Sequence, residues 1–436
     1  MSPAAAWSNW SGVETCLPAR VVAPATLRDL QQVVRDAARR RATVRAVGSG
    51  HSFTGAAVAP DVQIRLDRMD GLIDLDPEHR QVTVGAGMTL RRLNAVLADH
   101  DLGLENLGDI DRQTVAGAIS TGTHGTGAAL GGLATQVVAL QLVSADGGVV
   151  LCSAGADPDL FNAARVSVGA LGVIWTVTLR CVPAFALRAV EAPAALEKVI
   201  DELPRLVDEH DHFEFYWFPH TTRVLTKAND RVEPSRPLQP LPRWRRLLDD
   251  EVLSNGVFAA TSRLCAAVPS LTPGVNAVAA RALTRREYVD ASYRVFVSTR
   301  RVRFNESEYC VPRESVADVL RELRHWVDAH DERVPFPVEV RFAAADDLWL
   351  STAYERVAGY VAVHQYHRMD HSRYFEAFER IVAEVSGRPH WGKLHGLDAG
   401  RLREVYPRFD AFQRLRDRVD PDRVFANAYT RRVLGP

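Results

Sequence analysis

The sequence predicts an α+β chain of two domains, and three observations carry that expectation. At 436 residues, 47% of them hydrophobic and 25% charged, the chain is long enough to bury more than one core. Its apolar residues switch between the 3.6-residue repeat of a helix and the two-residue alternation of a strand. A first region, residues 1–182, closes near Pro183, and a second set of strands and helices begins beyond it.

Taken in order, residues 25–41 carry Leu27, Leu30, Val33, Val34 and Ala37 on one helical face. The short strand 43–47 then leads into a turn at Gly48-Ser49-Gly50-His51. Residues 62–66 and 81–84 alternate like strands, and 90–97 follow Gly87 as a helix. Residues 137–143 and 149–151 flank the turn Asp146-Gly147-Gly148 and read as a hairpin. Gly169-Ala170-Leu171-Gly172-Val173-Ile174 leads into a strand over 175–182. In the second region, strands are expected at 213–217, 294–298, 338–342 and 360–366, and a helix at 316–328. Residues 234–242 hold four prolines in nine positions and read as an extended connector. Residues 244–248 and 252–267 are apolar enough for surface helices.

Composition narrows the function. A formal net charge of −1 argues against nucleic acid, whose phosphates demand a basic footprint. Cys16, Cys152, Cys181, Cys265 and Cys310 are odd in number and widely spaced, matching neither a zinc pattern nor a disulfide framework, which favours a reducing, cytoplasmic setting. The N-terminus lacks a basic stretch followed by an apolar one, so no signal peptide is expected. No window reaches the roughly twenty apolar residues that span a bilayer.

Two segments point to a bound ligand. In Val47-Gly48-Ser49-Gly50-His51-Ser52-Phe53 the small residues let backbone approach a ligand closely. His51 there is either an attachment point or an incidental imidazole on a tight turn. Some seventy residues on, Gly108-Asp109-Ile110-Asp111-Arg112-Gln113-Thr114-Val115-Ala116-Gly117-Ala118-Ile119-Ser120-Thr121-Gly122-Thr123-His124 mixes Gly with hydroxyl residues. Such a run exposes successive backbone amides and reads as a phosphate cradle. It is not a P-loop, having no Gly-Lys-Ser/Thr, and Gly85-Ala86-Gly87 lacks the third glycine of a dinucleotide fingerprint, so it reads as a plain turn.

Together these segments make the chain resemble the flavoproteins of the vanillyl-alcohol oxidase superfamily, in which a histidine of a Gly-His-Ser motif is joined to FAD. Further motifs resemble its aldonolactone oxidase branch: Trp7-Ser8-Asn9-Trp10-Ser11-Gly12, Val338-Glu339-Val340-Arg341-Phe342, Gly387-Arg388-Pro389-His390-Trp391-Gly392-Lys393-Leu394-His395, and the closing Val419-Asp420-Pro421-Asp422-Arg423-Val424-Phe425-Ala426-Asn427-Ala428-Tyr429. The resemblance runs from near the first residue to near the last. It implies a PCMH-type FAD-binding domain (1–182), a mixed-sheet substrate or cap domain (183–400), and a C-terminal segment (401–436) that returns to the FAD domain. It also implies FAD, covalent through His51, with contacts from Gly172 and Ile174.

Glu339 and Arg341, two apart on a strand, project from one face. Such a pair alone reads more readily as a structural ion pair. By the resemblance, Glu339, Arg341 and Lys393 are the catalytic set, with Arg341 and Lys393 facing the substrate and the flavin's pyrimidine end. Glu339, His395 and Lys393 are the candidates for taking the hydroxyl proton. His364 and Tyr366 share a strand face and are candidates for the substrate wall, as is His395. Asp109 aligns with a serine near the flavin of alditol oxidases and reads equally as a substrate ligand or a cap. By the resemblance, the small residue Gly108 favours oxygen as acceptor over a strict dehydrogenase. His364, His367 and His371 are close-spaced imidazoles without Cys or a His-Glu-x-x-His pattern, so no metal is expected. The expected reaction is oxidation of an aldonolactone such as L-gulono-1,4-lactone, with reoxidation by oxygen or another acceptor. A polyol substrate, as in alditol oxidases, is the alternative, and a non-catalytic flavin-binding protein the alternative from another class.

Overall fold

The computed structural model describes residues 6–233, 235–242, 256–298 and 300–436. The helix expected first spans Leu27–Arg39, capped by the Thr26 hydroxyl on the Asp29 amide at 3.1 Å, with Leu30, Val34 and Ala37 buried. Strand Val44–Val47 then runs parallel to Val62–Arg65, itself parallel to Arg20–Val22. The His51 turn leaves the C-terminal end of Val44–Val47. A five-stranded antiparallel sheet follows, in the order Val149–Ser153, Val137–Val143, Val173–Arg180, Gln81–Gly85 and Leu72–Asp76. Gly87 ends a turn packed so tightly that a Cβ there would collide with the Leu66 carbonyl, which accounts for the Gly-Ala-Gly spacing without any ligand.

The second region is built on one eight-stranded sheet, in the order Arg286–Ala291, Ala186–Ala195, Arg223–Arg231, His212–Trp217, Val338–Ala343, Ala358–Tyr366, Phe304–Pro312 and Arg388–Pro389. The resemblance implied a mixed sheet here. Its registered strand pairs are antiparallel, a parallel bridge joins Gly127 to Ala343 of its strand Val338–Ala343, and the three-stranded sheet before it is parallel, so strands of both senses are present.

Alternation gives this sheet two chemically different faces. Phe213, Phe215, Trp217, Val338, Val340, Phe342, Val361 and Val363 pack with residues of the helices Val316–Ala329 and Ser372–Ala383. The intervening positions Glu214, Tyr216, Lys227, Glu306, Glu308, Glu339, Arg341 and His364 put ionisable groups on the other face.

A separate core joins residues of the first region to Leu402, Phe409, Phe412, Val433 and Leu434 near the C-terminus. It also takes in Val295 and Phe296, which corrects the strand expected at 294–298: the segment is the helical turn Ser292–Phe296. The Ser292 amide bonds the Phe185 carbonyl at 3.0 Å, and one turn of helix carries both apolar side chains into that core. Burial outweighs the β-propensity of Val and Phe there.

The surface helix expected at 244–248, Pro234 of the expected connector and the start of the helix expected at 252–267 lie outside the described residues. The described part of that last segment is helical over Phe258–Ala267. Residues 235–242 are irregular apart from the bridge of Gln239 to Val289. The run 208–212 ends in a buried His212 whose Nδ1 bonds the Thr126 carbonyl at 2.8 Å.

Candidate active site

The turn bearing His51 is fixed from two sides. From the N-terminus, the Asn9 side-chain amide donates to the Ser52 carbonyl at 3.0 Å, Trp10 N–H donates to the Gly50 carbonyl at 2.8 Å, and the Trp10 indole stacks on His51 at 6.1 Å between centroids. From the other end of the chain, Phe53 N–H donates to the Gly392 carbonyl at 2.7 Å and Thr54 Oγ1 to the Trp391 carbonyl at 3.2 Å. Gly50 has φ +69° and Gly48 packs where a Cβ would strike Thr114 Oγ1, so both glycines are structurally required. Burial, with help from Arg112 and Lys393, lowers the His51 pKa below its ordinary value.

This turn forms one wall of a cavity. The lining includes Gly48, Ser49, Gly50, His51 and Ser52, then Thr114, Gly117 and Thr121 from the short helix Val115–Ser120, then Gly172 and Ile174. The amides of Ser49, Gly50, His51 and Ser52 donate to no other protein group among the described residues. Val47 and Phe53 flank the lining, both buried. Gly108, Gly122 and Thr123 support it from behind: a Cβ on Gly108 would lie 3.1 Å from Thr123 Cγ2, and Thr123 Oγ1 accepts from the Gln113 amide at 3.2 Å.

On the polar face of the large sheet, Glu339 and Arg341 meet two further ionic groups. Arg341 pairs with Glu339 directly and with Asp109 Oδ2 at 3.4 Å. Arg300 pairs with Asp109 directly and with Glu339 Oε2 at 3.2 Å. Two guanidiniums and two carboxylates thus alternate in a closed ring. Outside it, Tyr216 Oη donates to Glu339 Oε1 at 3.2 Å, Arg341 Nε donates to Glu214 Oε2 at 2.9 Å, and Lys227 Nζ lies 3.1 Å from Glu214 Oε1. Burial alone would lower Arg341, but Glu339, Asp109 and Glu214 outweigh it and hold its pKa raised. Burial alone would raise Asp109, and Arg300 and Arg341 outweigh it in the other direction. Both groups are therefore charged at neutral pH.

Lys393 sits beside this ring, its Nζ 2.5 Å from Glu306 Oε2 and 5.3 Å from the Phe53 ring centroid. Burial opposes its charge, but Glu306 and Glu308 prevail and raise its pKa. His364 donates Nδ1–H to the Pro337 carbonyl at 3.0 Å, and its Nε2, 3.5 Å from Glu306 and 4.0 Å from Glu339, makes no hydrogen bond among the described residues. Tyr366 instead joins Phe53, Phe304 and Phe336 in an apolar cluster. His395 lies apart from the ring, its Nε2 3.4 Å from Tyr429 Oη, and its pKa is pushed down to about 3 by burial and Arg432.

His124, placed by sequence with the cofactor, turns to Glu308 at 3.3 Å and stacks on Tyr360 at 3.6 Å. With His390 these form the one group among the described residues whose ligand atoms are close enough to hold a metal. The imidazole chemistry argues against one. His390 Nδ1 accepts the Gly392 N–H at 3.0 Å, so in the neutral ring Nε2 carries the proton and has no lone pair to give. The close-spaced His364, His367 and His371 form no such group.

Sequence reasoning missed Arg300, Glu214, Tyr216, Lys227, Glu306 and Glu308. Glu306 and Glu308 carried a readable signal: two acids two apart in Phe304-Asn305-Glu306-Ser307-Glu308-Tyr309, which a strand puts on one face. Arg300 carried none, since it stands in an irregular stretch after the helical turn Ser292–Phe296.

Comparison with known proteins agrees with this geometry. Residues 177–433 match the family model described as D-arabinono-1,4-lactone oxidase, and residues 18–153 match one described as FAD binding domain. The chain is 44% identical over 436 residues to a Mycobacterium tuberculosis protein named L-gulono-1,4-lactone dehydrogenase, covering 100% of both. It is 34% identical over 440 residues to the mouse protein named L-gulonolactone oxidase, covering 98% of both. Among solved structures, cholesterol oxidase from Brevibacterium sterolicum superposes with a TM-score of 0.82 at 18% identity, covering 99% of this chain and 96% of that one, which shows a shared fold. The chain therefore belongs to the D-arabinono-1,4-lactone oxidase family and is an FAD-dependent oxidoreductase.

Proposed function

We propose that the protein oxidises the secondary alcohol of an aldono-1,4-lactone such as L-gulono-1,4-lactone. The observation that carries this reading is the ring of Glu339, Arg341, Asp109 and Arg300 set with Lys393 beside the His51 turn. The cavity behind that turn fits FAD: it offers uncommitted amides, glycine-walled backbone and an imidazole kept neutral. FAD, when bound, supplies the acceptor for the hydride.

Each side chain then has a task. His51 would be the residue that holds the cofactor covalently, its imidazole being kept neutral and so able to offer a lone pair. Val47 to Phe53, Gly108, Thr114, Gly117, Thr121 to Thr123, Gly172 and Ile174 form or brace the pocket around it. Arg341 and Lys393, held cationic by their carboxylates, stabilise negative charge developing at substrate and cofactor. Glu339 fixes both guanidiniums. Of the groups expected to take the hydroxyl proton, Glu339 is paired with both guanidiniums, Lys393 is held protonated and His395 stands apart, whereas His364, expected only in the substrate wall, has an Nε2 without a hydrogen bond. We assign the proton to His364, with Glu306 and Glu339 placed to stabilise the imidazolium. Tyr366 shapes the wall through its aromatic neighbours, and His395 acts indirectly through Tyr429.

The same reading divides the chain into residues 1–182 for the cofactor, 183–400 for the substrate and 401–436 returning to the first part. It places the protein in the cytoplasm, where Cys16, Cys152, Cys181, Cys265 and Cys310 stay reduced; none forms a disulfide in the structure. Among the described residues no helix is long and apolar enough to cross a membrane. Oxygen is the proposed electron acceptor, through the small residue at Gly108.

An anaerobic substrate panel followed by air tests all of this. L-gulono-1,4-lactone should bleach the flavin and air should restore it. Bleaching by xylitol alone would assign an alditol oxidase, bleaching that only an artificial acceptor reverses would assign a dehydrogenase, and no bleaching by any substrate would leave a flavin-binding protein.

A further inference from the structure

Lactones hydrolyse in water to open-chain aldonates, so an enzyme acting on the lactone meets a chemically similar anion. The ring described above bears directly on that choice. Asp109, Glu214 and Glu339 face Arg300, Arg341 and Lys227, three charges of each sign, and each carboxylate of the ring is paired to both guanidiniums. No arginine of the ring is left with unmatched charge to recruit an anion.

The four members are not equally placed. The Glu339 side chain is 4% exposed and that of Arg341 10%, whereas Asp109 is 17% and Arg300 24% exposed. Asp109 and Arg300 are therefore the pair an incoming molecule meets first. Their segments are also joined through the backbone, Ser298 N–H donating to the Asp109 carbonyl at 3.0 Å, a bond that does not depend on the side-chain charge.

We propose that Asp109 is a specificity-determining residue: by neutralising Arg300 and Arg341 it keeps the site selective for the uncharged lactone and closed to the aldonate. This inference rests on the aldonolactone reading above. Removing the Asp109 charge leaves a net positive charge at the mouth of a partly desolvated site, where opposite charges attract far more strongly than in water.

The test uses the flavin-loaded enzyme without oxygen, titrated separately with L-gulonate and L-gulono-1,4-lactone while perturbation or bleaching of the flavin spectrum is followed. Asp109→Asn, and Asp109→Ser as a second variant should the first fail to fold, are expected to bind gulonate at least tenfold more tightly relative to lactone than the wild type does. Adding Arg300→Gln to Asp109→Asn should return that ratio towards wild type. A merely structural Asp109 would weaken both ligands together and leave the ratio unchanged, which overturns the proposal. Gulonate binding to the wild type as tightly as lactone overturns it too. If the wild-type flavin is not bleached by lactone, the functional reading fails first, which separates the two failures.

Discussion

His51 owes its proposed chemistry to its surroundings. Burial, Arg112 and Lys393 all disfavour the imidazolium, so at pH 7 the ring has a free lone pair. His51→Ala should therefore release flavin on acid precipitation, whereas wild-type protein stays yellow and fluorescent in a denaturing gel. Flavin released equally by both would reduce His51 to a neighbour of the cofactor. His364 makes the complementary prediction. Its tautomer is fixed by the Pro337 carbonyl and its Nε2 is unpartnered, so His364→Asn should lower kcat by about a hundredfold or more with KM changed far less. A change confined to KM would make it a wall residue only. Gly108 gives a third case. A Cβ there would press on Thr123 Cγ2 and the His124 carbonyl, so Gly108→Ala should slow reoxidation by air about tenfold or more while reduction by substrate persists. The ratio of the two half-reactions, read by stopped-flow, decides it.

At the scale of elements, what the sequence revealed followed chemistry with a short period. Glu339 and Arg341 were legible because a strand puts positions two apart on one face, and the glycine-rich turns because few residues replace Gly where backbones touch. Arg300, Lys227 and Glu214 were not, because their partners lie on other strands or loops and only the sheet order brings them together. The expected strand at 294–298 failed for the same reason, since a long-range core decided the conformation of five residues. The Asn9 segment shows how a motif recognised only as a signature acquires a cause. Asn9 Nδ2 holds the Ser52 carbonyl at 3.0 Å, while its Oδ1 accepts from Gly12 N–H at 2.9 Å and Glu14 N–H at 3.1 Å. Asn9→Ala should cost about 2 kcal/mol of stability and weaken flavin retention, because it frees the turn that carries His51. Unchanged melting and flavin content would show the turn to be fixed without Asn9, by the Trp10, Phe53 and Thr54 bonds.

Across the whole molecule, the two ends of the chain meet around the cofactor pocket. Arg45 is buried without a carboxylate at hydrogen-bond distance, and instead donates to the carbonyls of Ala56, Val168, Gly169 and Phe425, which ties the C-terminal segment to the cavity wall. Periodicity could not show that return, since it reports local faces and not their partners. The His390–His395 segment is stitched in likewise and makes the molecule sensitive to acid. Burial is the leading cause that lowers His390 to about 4 and His395 to about 3. In the unfolded chain both would take up a proton near the ordinary histidine value of about 6.5. Their folded pKa values are depressed, so the stability they contribute is present above about 6.5 and is lost as pH falls towards 4 and 3. Each histidine adds on the order of 1.4 kcal/mol per pH unit to that slope. Melting temperature should therefore fall between pH 6.5 and 4.5, with Asp346, raised to about 6 by burial, opposing part of the fall as it takes up its proton in the folded state. His395→Gln, which cannot take up the proton, should flatten the slope by one histidine's share, and an unchanged slope would mean that the segment opens before His395 is protonated.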